Sequence, residues 1–284
     1  MGREKVRKTV VRLSALFLLV LAFASACSPK GGQQSQYPMA TSELVLEADT
    51  GDQRWTDAGG NYYSKEYINL MSTASPAKGS VTYRTSAPTF TGTLKLRAFK
   101  PNFAYQLKLV GTPRDIGTME RIGYAGRWLL PGYVNVSDEQ YEAFRDKRKA
   151  ESFLVFDMIV TDGEGNADYE FALDSNWHVG MSETLEGAEP VEGMPVMDFA
   201  FTHFPERAYG TMPYEVVRSV RIWLMCEGRW TGARPEPGKT VLAEGDYNCT
   251  FRLTEESFHG AGGGRWATAA DADVAFTIDH EAPR

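Results

Sequence analysis

GTLKLRAFKPNFAYQLKLVG, residues 92–111, is the stretch that decides the fold. Apolar residues alternate with mostly polar neighbours in both of its halves: Leu94, Leu96, Tyr105, Leu107 and Leu109. A period of two is typical of a strand with one buried face. Between the halves stands Lys100-Pro101-Asn102, where proline has no amide hydrogen for a ladder and asparagine tolerates turn conformations. The stretch therefore predicts two strands joined at a corner.

The spacing of the apolar residues in this stretch resembles the tyrosine corner of immunoglobulin and fibronectin type III sandwiches. The resemblance is carried by Leu96, Phe99, Pro101, Tyr105 and Leu109. In those sandwiches a tyrosine hydroxyl bonds backbone across a turn between sheets, so the resemblance implies that Tyr105 is buried and anchors the turn at Pro101. It covers about 20 residues and implies a fold, not a biochemical role.

The beginning of the chain has the pattern of an export signal. Residues 1–14, MGREKVRKTVVRLS, carry five Lys/Arg and one Glu, and ALFLLVLAFA follows. About ten apolar residues are too few to cross a bilayer core that needs ~20, so we expect residues 1–26 to be a signal peptide that is removed.

Small residues directly before Cys27 resemble the lipobox of bacterial lipoproteins. The resemblance implies that Cys27 becomes the first residue of the mature protein and carries the lipid, palmitate among its acyl chains. Because Ser28 rather than Asp follows, it also implies the outer membrane in a cell with two membranes. The alternative is an Ala-x-Ala site for ordinary signal peptidase, with Cys27 incidental.

Residues 27–40 are rich in Gly, Gln, Ser and Pro, a composition that predicts a flexible tether. Without residues 1–26 the formal charge of −7 becomes about −11, which argues against binding to nucleic acid or docking on anionic lipid.

The remaining cysteines, Cys226 and Cys249, form an even pair in an oxidising compartment, and we expect a disulfide between them. Two buried free thiols are the alternative.

Residues 41–284 contain short alternating runs separated by turn residues, with no regular alternation of strands and helices. This pattern predicts an all-β fold, an antiparallel two-sheet sandwich of roughly ten to twelve strands with one short helix. The helix is expected at Ser137–Ala150, with Ser137 as its cap, while residues 112–133 are expected to be a loop with one short strand. A split into two sandwiches near 131–150 is left open.

Two further turns are predicted. Asp162-Gly163-Glu164-Gly165-Asn166 has the composition of a hairpin turn between two strands, and a calcium loop is the less favoured interpretation. Tyr247 enters a strand after Ala243-Glu244-Gly245-Asp246 and is expected to be a second corner tyrosine.

Four of the six tryptophans follow an arginine, and three of these pairs also follow a glycine. One interpretation is a ligand patch of stacked aromatic and cationic side chains for a glycan, a peptide or an envelope protein: Arg127, Trp128, Arg229, Trp230, Arg265 and Trp266. In the other interpretation glycine starts a strand and tryptophan fills the end of the sandwich.

The chain has no GxSxG, HExxH, P-loop or CxxC motif, and no catalytic residue, metal ligand or cofactor is predicted. We expect a lipid-anchored, extracytoplasmic binding or structural module without enzymatic activity, held at the membrane by its lipid. The alternative is an extracytoplasmic hydrolytic or metal-dependent enzyme that uses His178 or His203. His259 would join these two if a metal site formed.

Overall fold

A computed structural model describes residues 38–47, 57–58, 61–64, 76–132, 134–174, 176–178, 196–200, 206–210, 219–223, 225–226, 240–256 and 267–282. The residues between and outside these ranges include Cys27, the signal segment and most of the tether, so the predictions made for them lie outside the described residues.

Most of the described chain is β-strand. The strands are β1 (Met39–Glu43), β2 (Val45–Leu46), β3 (Lys78–Arg84), β4 (Ser86–Ala87), β5 (Thr91–Arg97), β6 (Ala104–Gly111), β7 (Arg127–Leu130), β8 (Val134–Val136), β9 (Glu151–Val160), β10 (Ala167–Ala172), β11 (Trp177–His178), β12 (Val196–Ala200), β13 (Ser219–Trp223), β14 (Met225–Cys226), β15 (Gly245–Glu256) and β16 (Ala267–Ile278).

The strands form a smaller sheet with the order β1-β3-β5-β10 and a larger sheet with the order β2-β16-β15-β6-β9-β7-β8. Pairing is antiparallel, except that the short β4 joins β16 in parallel. Two further pairs, β11 with β14 and β12 with β13, are small separate ladders. The prediction of an all-β, two-sheet sandwich is confirmed.

The quoted stretch connects the two sheets. β5 belongs to the smaller sheet and β6 to the larger one, so the chain changes sheets at residues 98–103. Ala98 and Asn102 have positive φ angles, 57° and 53°, as a tight corner requires. The predicted corner is confirmed.

A second connection between the sheets lies beside the first. β9 pairs with β6 in the larger sheet, whereas β10 pairs with β5 in the smaller sheet. The predicted hairpin is therefore wrong: residues 161–166 form a turn, but its flanking strands are not partners. Backbone bonds of 2.9 Å from Phe99 N to Gly165 O and from Asn102 N to Asp162 O hold the two turns together. We call this end of the sandwich, with residues 98–103 and 161–166, the corner end.

The described ranges contain three helices, of which the first two lie away from the corner end and the third docks on it through Tyr209. They are α1 (Ile116–Ala125), α2 (Asp138–Ala143) and the short α3 (Glu206–Tyr209), with a 3-10 turn at Lys147–Lys149. The capping box of Ser137 and Gln140 is present, but α2 ends at Ala143 rather than continuing to Ala150. At 112–133 the expected short strand is present as β7, but the expected loop is wrong for residues 116–125, which form α1, capped by Asp115.

One apolar core lies between the sheets, with members from Leu44 to Ile278. Phe90 is at its centre, with rings of Phe171 from the smaller sheet and Phe276 from the larger sheet at 5.2 and 4.4 Å. A satellite cluster under α1 and α2 contains Met119, Trp128, Val136, Tyr141 and Ala150. Residues 37–284 form one compact unit.

Candidate functional site

The corner end holds a cluster of polar and ionisable side chains that are almost completely buried. Its members are Asp57, Asn61, Tyr63, Lys100, Asn102, Tyr209 and Glu255. Buried polar groups are costly unless they are bonded to one another, so such a cluster marks either a structural brace or a site.

Lys100 and Glu255 form the charged centre of this corner cluster. The Lys100 Nζ lies 2.7 Å from Glu255 Oε1 and 2.8 Å from Oε2, and the two side chains are 0% and 2% exposed. Glu255 is directed toward the core because it pairs with the core residue Tyr105 in the register of β15 and β6. The Nζ also lies 5.3 Å from the centre of the Phe103 ring. An amine and a carboxyl group are thus held together away from water.

Tyr105 anchors the turn beside this pair. Its ring is 0% exposed and packs edge-on against Phe99, and its hydroxyl accepts a hydrogen bond of 3.2 Å from the backbone N–H of Lys100. Tyr247 also anchors a backbone turn, at the other end of the sandwich. There the hydroxyl is the donor, and it bonds Ala243 O at 2.8 Å. Both tyrosines behave as their sequence contexts predict.

Two distant chain segments dock on the same corner through tyrosines. Tyr209 donates to Asp57 Oδ2 at 2.8 Å and accepts from Asn102 Nδ2 at 3.2 Å, while Tyr63 donates to Pro101 O. The Tyr63 and Tyr209 rings stack at 5.2 Å. Burial, with the nearby Asp57 carboxylate, raises the pKa of both phenols well above their ordinary value. Both phenols therefore remain protonated donors at neutral pH and hold the segments in place.

The Asp57 carboxylate accepts hydrogen bonds from Asn61, whose backbone N and Nδ2 donate to it at 2.8 to 3.1 Å.

A further contact between ionisable side chains lies between the sheets, outside the corner cluster. Tyr169 of β10 donates to Asp157 Oδ2 of β9 at 2.8 Å. Burial raises the pKa of Asp157, and this hydrogen bond opposes the rise. The contact joins β10, the edge strand of the smaller sheet, to β9 of the larger sheet.

The structure places Arg127 and Trp128 away from the corner end and inside the protein. Trp128 is 1% exposed, stacks on Tyr141 at 3.5 Å and donates from Nε1 to Asp138 Oδ1 at 2.8 Å. Burial lowers the pKa of Arg127 to about 10. Trp128 is therefore a core residue and supplies no open ring face for the predicted ligand patch. The other four members, Arg229, Trp230, Arg265 and Trp266, lie outside the described residues.

Among the described residues the predicted disulfide is not seen. Cys249 is a free thiol, buried in the main core, where burial raises its pKa. Its strand pairs with β6 and β16, whereas Cys226 belongs to a two-residue strand that pairs with Trp177 and His178. The backbones of Cys226 and Cys249 therefore belong to separate ladders.

The histidines named for the enzymatic alternative give no site among the described residues. His178 pairs through its backbone with Met225, and His203 and His259 lie outside the described ranges. His280 bonds Leu242 O through Nε2 at 2.9 Å. Within the described ranges no group of three or more His, Cys, Asp or Glu residues is arranged to hold a metal ion. No helix in these same ranges is long and apolar enough to span a membrane.

The corner cluster was missed at the sequence level, although one signal for it exists. Along β15 the core positions are Tyr247, Cys249, Phe251, Leu253 and Glu255. A carboxylate that continues an apolar series predicts a buried partner, because a lone buried charge is very costly. Asp57, Tyr63 and Tyr209 have no comparable signal, since they stand in short or irregular segments.

In comparisons with protein-family models, curated proteins and solved structures, nothing matches this chain. Its function is therefore inferred from its own residues and geometry.

Proposed function

We propose that this protein is a lipid-anchored β-sandwich of the cell envelope that binds or assembles with another envelope component and has no enzymatic activity. The observation that carries the proposal is the order of segments: a charged and apolar leader, Cys27 after small residues, a polar tether, and then a sandwich. This order is what an extracytoplasmic domain held by an N-terminal lipid requires.

The direction of the strands supports this arrangement. β1 begins at Met39, which pairs with Arg84 at the end of β3. β5 starts at that same end, since Gly92 pairs with Tyr83, and it runs from there to the corner. The described chain therefore enters the sandwich at the end opposite the corner end.

The chemistry of the corner cluster supports a structural role for its ionisable groups. Lys100 contacts Glu255, and Asp57 contacts Asn61 and Tyr209. These contacts fix the turns and docked segments at the corner end. A rigid end with loops around it suits recognition of a glycan, a peptide or an envelope protein.

Replacement of Cys27 tests the anchor. In Cys27→Ser the mature protein should leave the membrane fraction, because the side chain that takes the lipid is gone, whereas the wild-type protein should remain there with a diacylglyceryl group on Cys27. Fractionation with intact-mass analysis measures both. Cys226→Ser is the matched control, because this cysteine does not follow the small residues of the leader, and the variant should stay in the membrane fraction. A wild-type protein with an unmodified N-terminus would contradict the proposal.

A further inference from the structure

A short basic segment interrupts the surface of this acidic protein. Residues 145–149 contain four Lys/Arg and one Asp, whereas the formal charge without residues 1–26 is about −11. Arg148 and Lys149 contact Asp146 at 3.3 and 3.6 Å, with side chains 81% and 66% exposed. Exposed ion pairs of this kind contribute little to stability, so both cations are free to exchange Asp146 for an external anion.

The last two residues of the basic segment line a cleft of about 440 Å³. Much of the remaining lining is apolar and comes from Pro113, Leu129, Leu130 and Pro131, while Glu151 adds one carboxylate. Leu129 and Leu130 are half-buried at the end of β7, and Pro131 is exposed at the turn from β7 to β8. The cleft therefore offers cationic and apolar contacts side by side.

The cleft lies at the end of the sandwich where the described chain enters. Leu129 pairs with Glu151, the first residue of β9, whereas Val160 at the far end of β9 pairs with Ala104 beside the corner end. Met39 begins β1 at the end opposite the corner end. The cleft and the start of β1 thus share one end, which we call the entry end.

The length of the tether limits how far the entry end lies from a membrane. In the proposed function, on which this inference rests, Cys27 carries the lipid, and eleven residues separate it from Met39. A flexible chain of that length has a root-mean-square span of about 18 Å. The lipid therefore holds the entry end close to the headgroups.

From this placement we propose that the entry end docks on the membrane, with the phosphate of an anionic phospholipid in the cleft beside Arg148 and Lys149. Leu130 and Pro131 contact the apolar region next to the headgroup. A phospholipid suits the cleft because it carries its phosphate directly beside hydrocarbon, and arginine and lysine are common phosphate ligands.

The contact orients the anchored protein and does not replace the lipid. Attachment to anionic lipid by charge alone takes clusters of about four to eight basic residues, and the segment 145–149 has a net charge of +3 within an acidic domain. The protein without its lipid therefore still leaves the membrane fraction, and its affinity for anionic vesicles is weak but measurable.

Vesicle co-sedimentation tests the contact in the absence of the lipid anchor. The protein is the mature chain, residues 27–284, with Cys27→Ser, and the vesicles contain phosphatidylcholine alone or with an equal part of phosphatidylglycerol. Binding should be at least about tenfold stronger to the mixed vesicles, since each cation near an anionic surface strengthens binding about fivefold. It should be lost in 1 M NaCl, where the screening length is about 3 Å. Equal binding to both kinds of vesicle would overturn the proposal.

Charge reversal locates the contact. Arg148→Glu/Lys149→Glu should weaken binding to the mixed vesicles at least about tenfold. Lys78→Glu/Lys95→Glu is the matched control, since it makes the same change in net charge at two exposed lysines of the smaller sheet, and it should lose less than about threefold. If the first variant fails to fold, Arg148→Gln/Lys149→Gln takes its place. A similar loss in the cleft variant and the control would show that net charge drives binding and would overturn the proposal.

The result is separable from the test of the anchor. A lipid on Cys27 together with no preference for anionic vesicles would overturn the docking surface and leave the proposed function in place. An unmodified N-terminus together with binding that depends on Arg148 and Lys149 would contradict the anchor and support the docking surface.

Discussion

Tyr105 shows how one side-chain atom can fix the relation between two sheets. Its hydroxyl is buried and accepts a hydrogen bond from the N–H of Lys100, the residue before Pro101. The same turn places Lys100 on Glu255. The backbone bond and the ion pair therefore depend on one conformation of residues 98–103.

Tyr105→Phe should lower the free energy of unfolding by about 1–3 kcal/mol while the fold persists, because a buried N–H loses its acceptor. The midpoint of urea denaturation measures the change. Tyr124→Phe is the matched control: this ring is 38% exposed and its hydroxyl bonds Glu142 at the surface, so the effect should stay within about 0.5 kcal/mol. Equal midpoints for Tyr105→Phe and wild type would show that the hydroxyl does not anchor the turn.

The sequence predicted Tyr105 and Tyr247 because the bonds of both are local: each hydroxyl reaches backbone four or five positions earlier. Glu255 bonds a side chain 155 positions away, and local spacing contains no information on such a partner. The same limit explains Trp128. Its glycine and arginine neighbours are visible in the sequence, but its burial depends on the stack with Tyr141 and the bond to Asp138.

At the level of elements, turns were predicted better than pairing. Residues 162–166 do form a tight turn, in which Asp162 Oδ1 accepts from the N–H groups of Glu164 and Asn166 at 2.8 Å. Turn chemistry does not determine whether the flanking strands pair with each other. Here β9 lies between β6 and β7 in the larger sheet, whereas β10 is the edge strand of the smaller sheet.

Helix α1 was missed because its sequence is a weak helix former. It contains Gly117 and Gly123, which lower helix propensity. Tertiary contacts compensate: Asp115 caps the first turn, Ile122 enters the main core, and Met119 enters the satellite cluster. Gly123 is needed because a Cβ there would lie 2.4 Å from the Trp128 ring.

Gly165→Ala tests the contact between the two turns at the corner end. Gly165 has a φ of +80°, and an added Cβ would lie 2.0 Å from Phe99 O. The variant should therefore lose more than the roughly 1–2 kcal/mol that a left-handed conformation alone costs an L-residue. Gly210→Ala is the matched control, with a φ of +59° and no atom nearer than 3.6 Å, and should lose only that amount. Similar denaturation midpoints for the two variants would mean that the turns do not pack as described.

For the molecule as a whole, the arrangement of the core predicts how it unfolds. The main core contains residues from both sheets, and α1 connects it to the satellite cluster through Ile122 and Met119. No boundary near 131–150 separates two cores among the described residues, because Leu107, Leu154 and Phe251 belong to one cluster. The chain from β1 to β16 should therefore unfold as one cooperative unit.

Phe90→Ala tests this cooperativity. Phe90 is 1% exposed and its ring contacts Phe171 and Phe276 across the sheets, so the truncation should cost about 3–5 kcal/mol. The midpoints reported by far-UV circular dichroism and by the fluorescence of the six tryptophans, which include Trp128 of the satellite cluster, should fall together at an unchanged slope. Phe153→Ala, a change of a half-buried ring outside the main core, should shift both midpoints much less. Midpoints that differ between the two probes would mean that parts of the chain unfold separately, and the single-unit interpretation would then be wrong.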